Sequence, residues 1–212
     1  SFLRSLPGMT LMAAVDETTL RSAMRFMSDH NDGPIALRYP RDNVVDNLPN
    51  SDVPYELGKA NLLAEGKDLA ILAYGTMVVE AMQAREQLAQ QGYDVAVYDA
   101  RFAKPIDKDL IESLIRAGLP LVTVEDHAAI GGFGTCVLEA CNELGLAAQQ
   151  VHRMGLPDRF IYQGGRGEQL AEAGIDAAGI ARKVRQVLST EEASGPTVQV
   201  DASLSSPATT RE

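Results

Sequence analysis

A chain of 212 residues with an ordinary balance of apolar and charged side chains can bury a core in one large or two small domains. A net charge of −10, with no run of basic residues, argues against a nucleic-acid or anionic-membrane partner. No apolar run reaches the length of a membrane span and no signal peptide is visible, so the composition reads as cytoplasmic.

The sequence opens at Ser1, inside the apolar stretch Phe2-Leu3-Arg4-Ser5-Leu6-Pro7, and reads as a fragment whose front part lies elsewhere. Residues 16–30 predict a helix, with Asp16 or Thr18 as its cap and Leu20, Met24 and Met27 on one face. Asn31-Asp32-Gly33 then stops the helix and turns the chain into a strand at 35–39. Residues 42–54, rich in Asn, Asp and Pro, predict a linker.

Beyond the linker the pattern becomes regular. Residues 69–74 form an apolar strand; Gly75-Thr76 turns it into a helix at 77–91, whose buried stripe is Val78, Ala81, Met82 and Leu88. A strand at 94–98 and a helix at 106–117 follow, with Asp107 placed where a negative charge suits the helix dipole. A third apolar strand at 119–125 leads through Gly131-Gly132-Phe133-Gly134 into a helix ending at Leu144. A shorter strand at 150–154 and a helix at 177–188 complete the run. Apolar strands alternating with helices predict an α/β fold, a mostly parallel sheet with helices on both faces. From Ser189 to Glu212 the composition turns to Ser, Thr, Glu and Pro, which predicts a disordered tail.

Several patterns are compatible with chemistry, and each also has a purely structural explanation. Arg38 and Arg41 flank the end of the 35–39 strand. Guanidinium is always charged and matches phosphate or carboxylate with a two-pronged hydrogen bond, but a solvated strand end pairing with nearby acids has the same signature. The strand-Gly75-Thr76-helix turn lacks the glycine pattern of a dinucleotide or P-loop site, and a tight turn accounts for it better. Gly131 to Gly134 allows close backbone approach, either to a nucleotide or at a subunit or domain contact. Arg101 and Lys104 could face a ligand or pair with Asp99 and Asp107. Glu125-Asp126-His127 would suit acid/base work, yet no nucleophile or metal ligand stands near it in sequence. Cys136 and Cys141 read as buried reduced thiols, and His30, His127 and His152 have no metal-ligand spacing.

In this order, the segments resemble the C-terminal third of the 1-deoxy-D-xylulose-5-phosphate synthases, thiamine-diphosphate enzymes of the transketolase superfamily. The resemblance rests on Gly33-Pro34 with Arg38-Tyr39-Pro40-Arg41, Gly75-Thr76, Arg101-Phe102-Ala103-Lys104-Pro105-Ile106-Asp107, Val122-Thr123-Val124-Glu125, Gly131-Gly132-Phe133-Gly134 and Gly155-Leu156-Pro157-Asp158 with Gln163-Gly164. It spans residues 1–188; Asp42 departs from the glycine usual in the family after the second arginine. It implies that residues 1–50 end a pyrimidine-binding domain and that 55–188 form a transketolase C-terminal domain. It further implies condensation of pyruvate with glyceraldehyde 3-phosphate and loss of CO2, in isoprenoid and thiamine or pyridoxal precursor synthesis, by a homodimer. Arg41, with Arg38 as second choice, is then the phosphate-binding residue. Thiamine diphosphate and Mg2+ would be bound by upstream parts, leaving no catalytic, cofactor or metal residue in this fragment, which alone would be inactive. A 2-oxo-acid dehydrogenase E1 β subunit, a transketolase and a non-catalytic assembly domain remain the alternatives.

Overall fold

The computed structural model describes residues 2–40, 45 and 48–193, without the side chains of 191–193. A short 3₁₀ turn, Phe2–Ser5, precedes β1 (Thr10–Ala13), α1 (Glu17–Asp29) and β2 (Ile35–Arg38). Then follow β3 (Asn61–Ala64), β4 (Leu69–Tyr74), α2 (Met77–Ala89), β5 (Val95–Asp99), β6 (Phe102–Lys104) and α3 (Lys108–Arg116). The described part ends with β7 (Leu121–Ala128), α4 (Phe133–Glu143), β8 (Val151–Leu156), α5 (Arg166–Ala173) and α6 (Ala177–Ala193).

Two sheets result. The larger has the order β3-β5-β4-β7-β8, parallel except for β3 at one edge. Successive side chains of a strand point to opposite faces, and β4 shows why this sheet needs helices on both. Leu69, Ile71 and Ala73 pack with Val78, Ala81 and Leu88 of α2 and Ile180 and Val184 of α6. Ala70, Leu72 and Tyr74 pack on the other side with Ile111 and Ile115 of α3 and Phe133, Val137 and Cys141 of α4. The α/β fold with a mostly parallel, doubly covered sheet is the one the sequence predicts.

The smaller sheet, β2-β1-β6, is parallel between β1 and β2 and antiparallel between β1 and β6. Its core joins Met12, Ala23, Tyr55 and Phe102, with Leu20, Phe26, Met27, Ile35 and Leu37 packed against it. Asp16 caps α1 reciprocally: Oδ1 accepts from Thr19 N at 2.7 Å, while Thr19 Oγ1 accepts from Asp16 N at 2.9 Å. The predicted apolar face needs one correction, because Met24 is 60% exposed and Ala23 takes the buried place beside Leu20 and Met27.

Other departures concern short elements. β1, β3 and β6 have three or four residues each, too few for alternation to register, and none is predicted. α5 is likewise missed; it ends at Gly174 in the left-handed conformation, φ 71°. α6 continues to Ala193, so residues 189–193 belong to a helix rather than to the predicted tail, whose remainder lies outside the described residues.

Candidate functional site: the crevice between the two sheets

In the larger sheet β5 lies on one side of β4 and β7 with β8 on the other, so the strand order reverses between β4 and β7. Open α/β sheets leave a crevice at the carboxyl ends of such strands, and that is where their ligands bind. Here β4 ends in Tyr74-Gly75-Thr76 and β7 in Glu125-Asp126-His127-Ala128. Gly75 turns at φ 64°, and a Cβ there would lie 3.3 Å from the Ala13 Cβ of the smaller sheet. The turn therefore brings β1 and β2 up to the crevice.

Two arginines meet at Asp126. Arg38, the last residue of β2, donates from Nη2 to the Asp126 carbonyl at 2.6 Å. Arg166, the first residue of α5, donates from Nη2 to Asp126 Oδ2 at 3.1 Å and to Thr76 Oγ1 at 2.9 Å. Beside them lies a cavity of about 300 Å³, walled by Ala13, Ala14, Tyr39, Pro40 and Tyr74. Arg38 is thus placed at the crevice. Arg41, the other predicted phosphate-binding residue, lies outside the described residues, as does Asp42.

A second cavity, about 460 Å³, opens on the other side of Arg38 between β2, the Phe2–Ser5 turn and α4. Glu125 borders it, 1% exposed, with Oε2 accepting from Phe133 N at 2.6 Å and Oε1 from Gly134 N at 2.8 Å. The carboxylate caps the amino end of α4, where the helix dipole favours negative charge. Burial pushes its pKa up, opposed by the two amides, His127 and Arg153. His127 Nδ1 is 3.8 Å from Oε2, beyond a hydrogen bond, while both carboxylate oxygens of Glu125 are taken up by the helix amides.

The close approach at Gly131 to Gly134 is internal to the chain. A Cβ on Gly132 would fall 2.1 Å from Glu125 Oε2, and one on Gly134 would fall 2.6 Å from Thr123 Oγ1. These contacts account for Gly132 and Gly134 within the chain, and Gly131 turns at φ 69°.

The remaining predicted cations hold backbone. Arg101, 2% exposed, donates to Pro54 O and Val53 O at 2.9 Å each and lies 4.5 Å from the Tyr55 ring centroid. Its Nε is 3.7 Å from Asp99 Oδ2, so of the two acids proposed for it Asp99 is the neighbour. Burial raises the Asp99 pKa to about 7, with Arg101 working against the rise. Asp107 instead caps α3, accepting from Leu110 N at 3.1 Å, and accepts from Ala60 N at 3.0 Å. Lys104 Nζ donates to Arg4 O at 2.9 Å and Leu6 O at 2.6 Å, and so fastens the first turn. Arg4 in turn reaches Cys136 Sγ at 3.0 Å and Glu139 at 2.5 and 2.7 Å. Cys136 and Cys141 are free and buried, and burial pushes both thiols up.

Arg166 is the crevice residue that the sequence analysis does not single out. Its signal is the pair Gly164-Gly165 before a helix, with Glu168 Oε2 accepting from Gly165 N at 2.9 Å as a start marker. Among the described residues, no group of three or more His, Cys, Asp or Glu side chains could hold a metal ion. No described helix is long and apolar enough to cross a membrane.

This doubly wound sheet, with its crevice at the strand switch, is the architecture of a known class. The family described as Transketolase, C-terminal domain matches residues 58–180, more than half of the chain, and the chain belongs to it. The chain is 41% identical to the 1-deoxy-D-xylulose-5-phosphate synthase 1 of Geobacter sulfurreducens over 203 residues, 94% of this chain and 31% of that protein. It is 45% identical to the protein of the same name from Geobacter metallireducens over 186 residues, 87% of this chain and 30% of that one. It thus spans about 30% of the length of these relatives. A solved structure described as a split gene transketolase, inactive beta4 tetramer, superposes with a TM-score of 0.79 at 29% identity, over 88% of this chain and 60% of that one. A Pichia stipitis transketolase, at 19% identity and TM-score 0.72 over 91% of this chain and 27% of its own, shares the fold.

Proposed function

We propose that the chain is a C-terminal part of a 1-deoxy-D-xylulose-5-phosphate synthase, an enzyme that joins pyruvate to glyceraldehyde 3-phosphate with loss of CO2 in isoprenoid precursor synthesis. The names of its relatives support the reading, and so does the position of Arg38 at the switch-point crevice, which is the observation that carries it. In this reading residues 1–50 end one domain, 55–188 form the next, and the whole protein is a cytoplasmic homodimer. Thiamine diphosphate supplies the electron sink for decarboxylation in such an enzyme. Among the described residues no group of three or more His, Cys, Asp or Glu side chains fits its magnesium, and in this reading the ion is held upstream of the chain.

The task left to this chain is to hold the acceptor. A phosphate brings two negative charges into a crevice partly closed to water, and a guanidinium at the end of a rigid strand meets it with little reorganisation. Arg38 stands at that position, and Arg41 follows it by three residues.

The test joins this chain to the segment that precedes the matching residues in the Geobacter sulfurreducens relative. The chimera is expected to form 1-deoxy-D-xylulose 5-phosphate from pyruvate and glyceraldehyde 3-phosphate, and the 212-residue chain alone to form none. A folded chimera that instead transfers two-carbon units from ketose phosphates would make the chain part of a transketolase. One that binds thiamine diphosphate and turns over neither substrate pair would leave it an assembly domain.

A further inference from the structure

We propose that Arg166 is a second phosphate-binding cation, which grips from the α5 side the triose phosphate that Arg38 meets from β2; the inference rests on the acceptor-binding role proposed for Arg38. The two guanidinium groups come from different parts of the fold and border the same cavity of about 300 Å³. Both are fixed by Asp126, one through its carbonyl and the other through its carboxylate.

The hydrogen bonding of Arg166 leaves capacity for a ligand. Both of its bonds among the described residues, to Thr76 Oγ1 and Asp126 Oδ2, leave from Nη2. A guanidinium carries five N–H donors; those on Nη1 and Nε remain, and because the two point to different sides of the group, Nη1 can donate to a phosphate oxygen while the positive charge attracts the anion. The side chain is 34% exposed, which makes it reachable from the crevice yet partly withdrawn from water. Thr76 and Asp126 immobilise it in advance, which lowers the entropy cost of gripping an anion.

The charges agree. Asp126 offsets one of the two arginines, and the crevice keeps a net positive charge in a chain whose total is −10. The first turn of α2, a 13-residue helix, begins at Met77 beside Thr76 and adds the positive end of its dipole. The walls of Ala13, Ala14, Tyr39 and Tyr74 suit the short carbon chain of a triose better than a nucleotide, whose base and ribose need more room.

The cavity is formed within this chain, so binding can be measured without turnover. The probes are glycerol 3-phosphate and inorganic phosphate, titrated into the 212-residue protein and read by calorimetry and by the arginine Nε–H signals in NMR. Glycerol 3-phosphate is expected to bind at millimolar concentration or below, more tightly than inorganic phosphate, and to shift a signal that is missing from Arg166→Gln. Arg166→Gln should weaken binding at least tenfold, whereas Arg166→Lys, which keeps the charge and guards against misfolding, should lose only a few-fold. If Arg38→Gln abolishes binding and Arg166→Gln leaves it intact, the acceptor reading stands and Arg166 is a brace only. Equal affinity for the two probes overturns the triose-phosphate assignment. If neither probe binds the folded protein, both the inference and the role of Arg38 fall.

Discussion

Asp99 is 2% exposed, and its nearest charged neighbour is Arg101, with Nε 3.7 Å from Oδ2. Removal from water outweighs that cation, so the folded pKa stands near 7 against 3.8 for the free carboxyl, with Asp16 adding to the rise. Between those two values the unfolded chain has released the proton and the folded chain retains it. The native state then binds more protons, and its stability falls as pH rises through this window. Asp99→Asn cannot ionise and mimics the protonated form. Relative to this variant, the wild type is expected to lose stability between about pH 4 and 7, on the order of a kcal/mol or more, and to hold level above that. Urea midpoints of both proteins across that range measure it; a constant difference would mean that Asp99 folds as the anion. A second residue-scale prediction concerns the acceptor. Removing the guanidinium of Arg41 or Arg38 from the chimera takes away a charge-assisted contact worth roughly 1.5–3 kcal/mol. The KM for glyceraldehyde 3-phosphate should rise about tenfold to a hundredfold, at ~1.4 kcal/mol per factor of ten, with little change for pyruvate, which has no phosphate. An acceptor aldehyde without phosphate is the control, and equal loss on both aldehydes would make the arginine structural.

Helix α4 depends on a single carboxylate brought from β7. Glu125 satisfies the Phe133 and Gly134 amides, and the backbone at Gly132 passes so close that a Cβ would sit 2.1 Å from Oε2 and 2.4 Å from Ala128 O. Gly132→Ala must therefore displace the carboxylate or bend the turn. Leaving a buried donor without its partner costs roughly 1–3 kcal/mol, and thermal unfolding should show a loss of that size. A variant as stable as the parent would mean that the turn relaxes freely. The case also shows what was legible in the sequence. Four glycine-rich turn residues announced a tight approach, but what approaches them depends on strand order, which residue types in one sequence do not state. Elements of the larger sheet were readable because buried parallel strands are continuous apolar runs, as in Leu69 to Tyr74. β1 and β6 were not, since Thr10–Ala13 is a strand through its pairing with β2 and β6, and Phe102–Lys104 through its pairing with β1, which runs of three or four residues do not announce. Arg38 was recognisable by its place at the end of a strand. Arg166 was not, because its place at the crevice depends on Thr76 and Asp126, 90 and 40 residues away along the chain.

Across the whole molecule, the smaller sheet is held together by a strand that belongs in sequence to the larger unit. β6 lies between β5 and α3, yet pairs with β1, and its Phe102 is fully buried. The ring meets Phe26 edge-on at 5.7 Å and Tyr55 at 5.8 Å, and so joins α1, the segment before β3, and β6 in one core. Lys104 from the same strand holds the first turn by two carbonyls. Three short strands and one helix bury little surface of their own, so this part of the fold borrows its stability through β6. Phe102→Ala removes the ring from that core at a cost of roughly 3–5 kcal/mol. The loss should be local. Hydrogen exchange is expected to accelerate in β1, α1 and β2, while the amides of β4, β7 and α2 keep their protection, because Ile71, Val122 and Val78 belong to a core that Phe102 does not enter. Uniform loss of protection in the two sheets would instead make the described chain a single cooperative unit. The crevice would respond in the first case alone: with β2 released, Arg38 loses its fixed position beside Asp126, and phosphate binding should fall although the larger sheet stays folded.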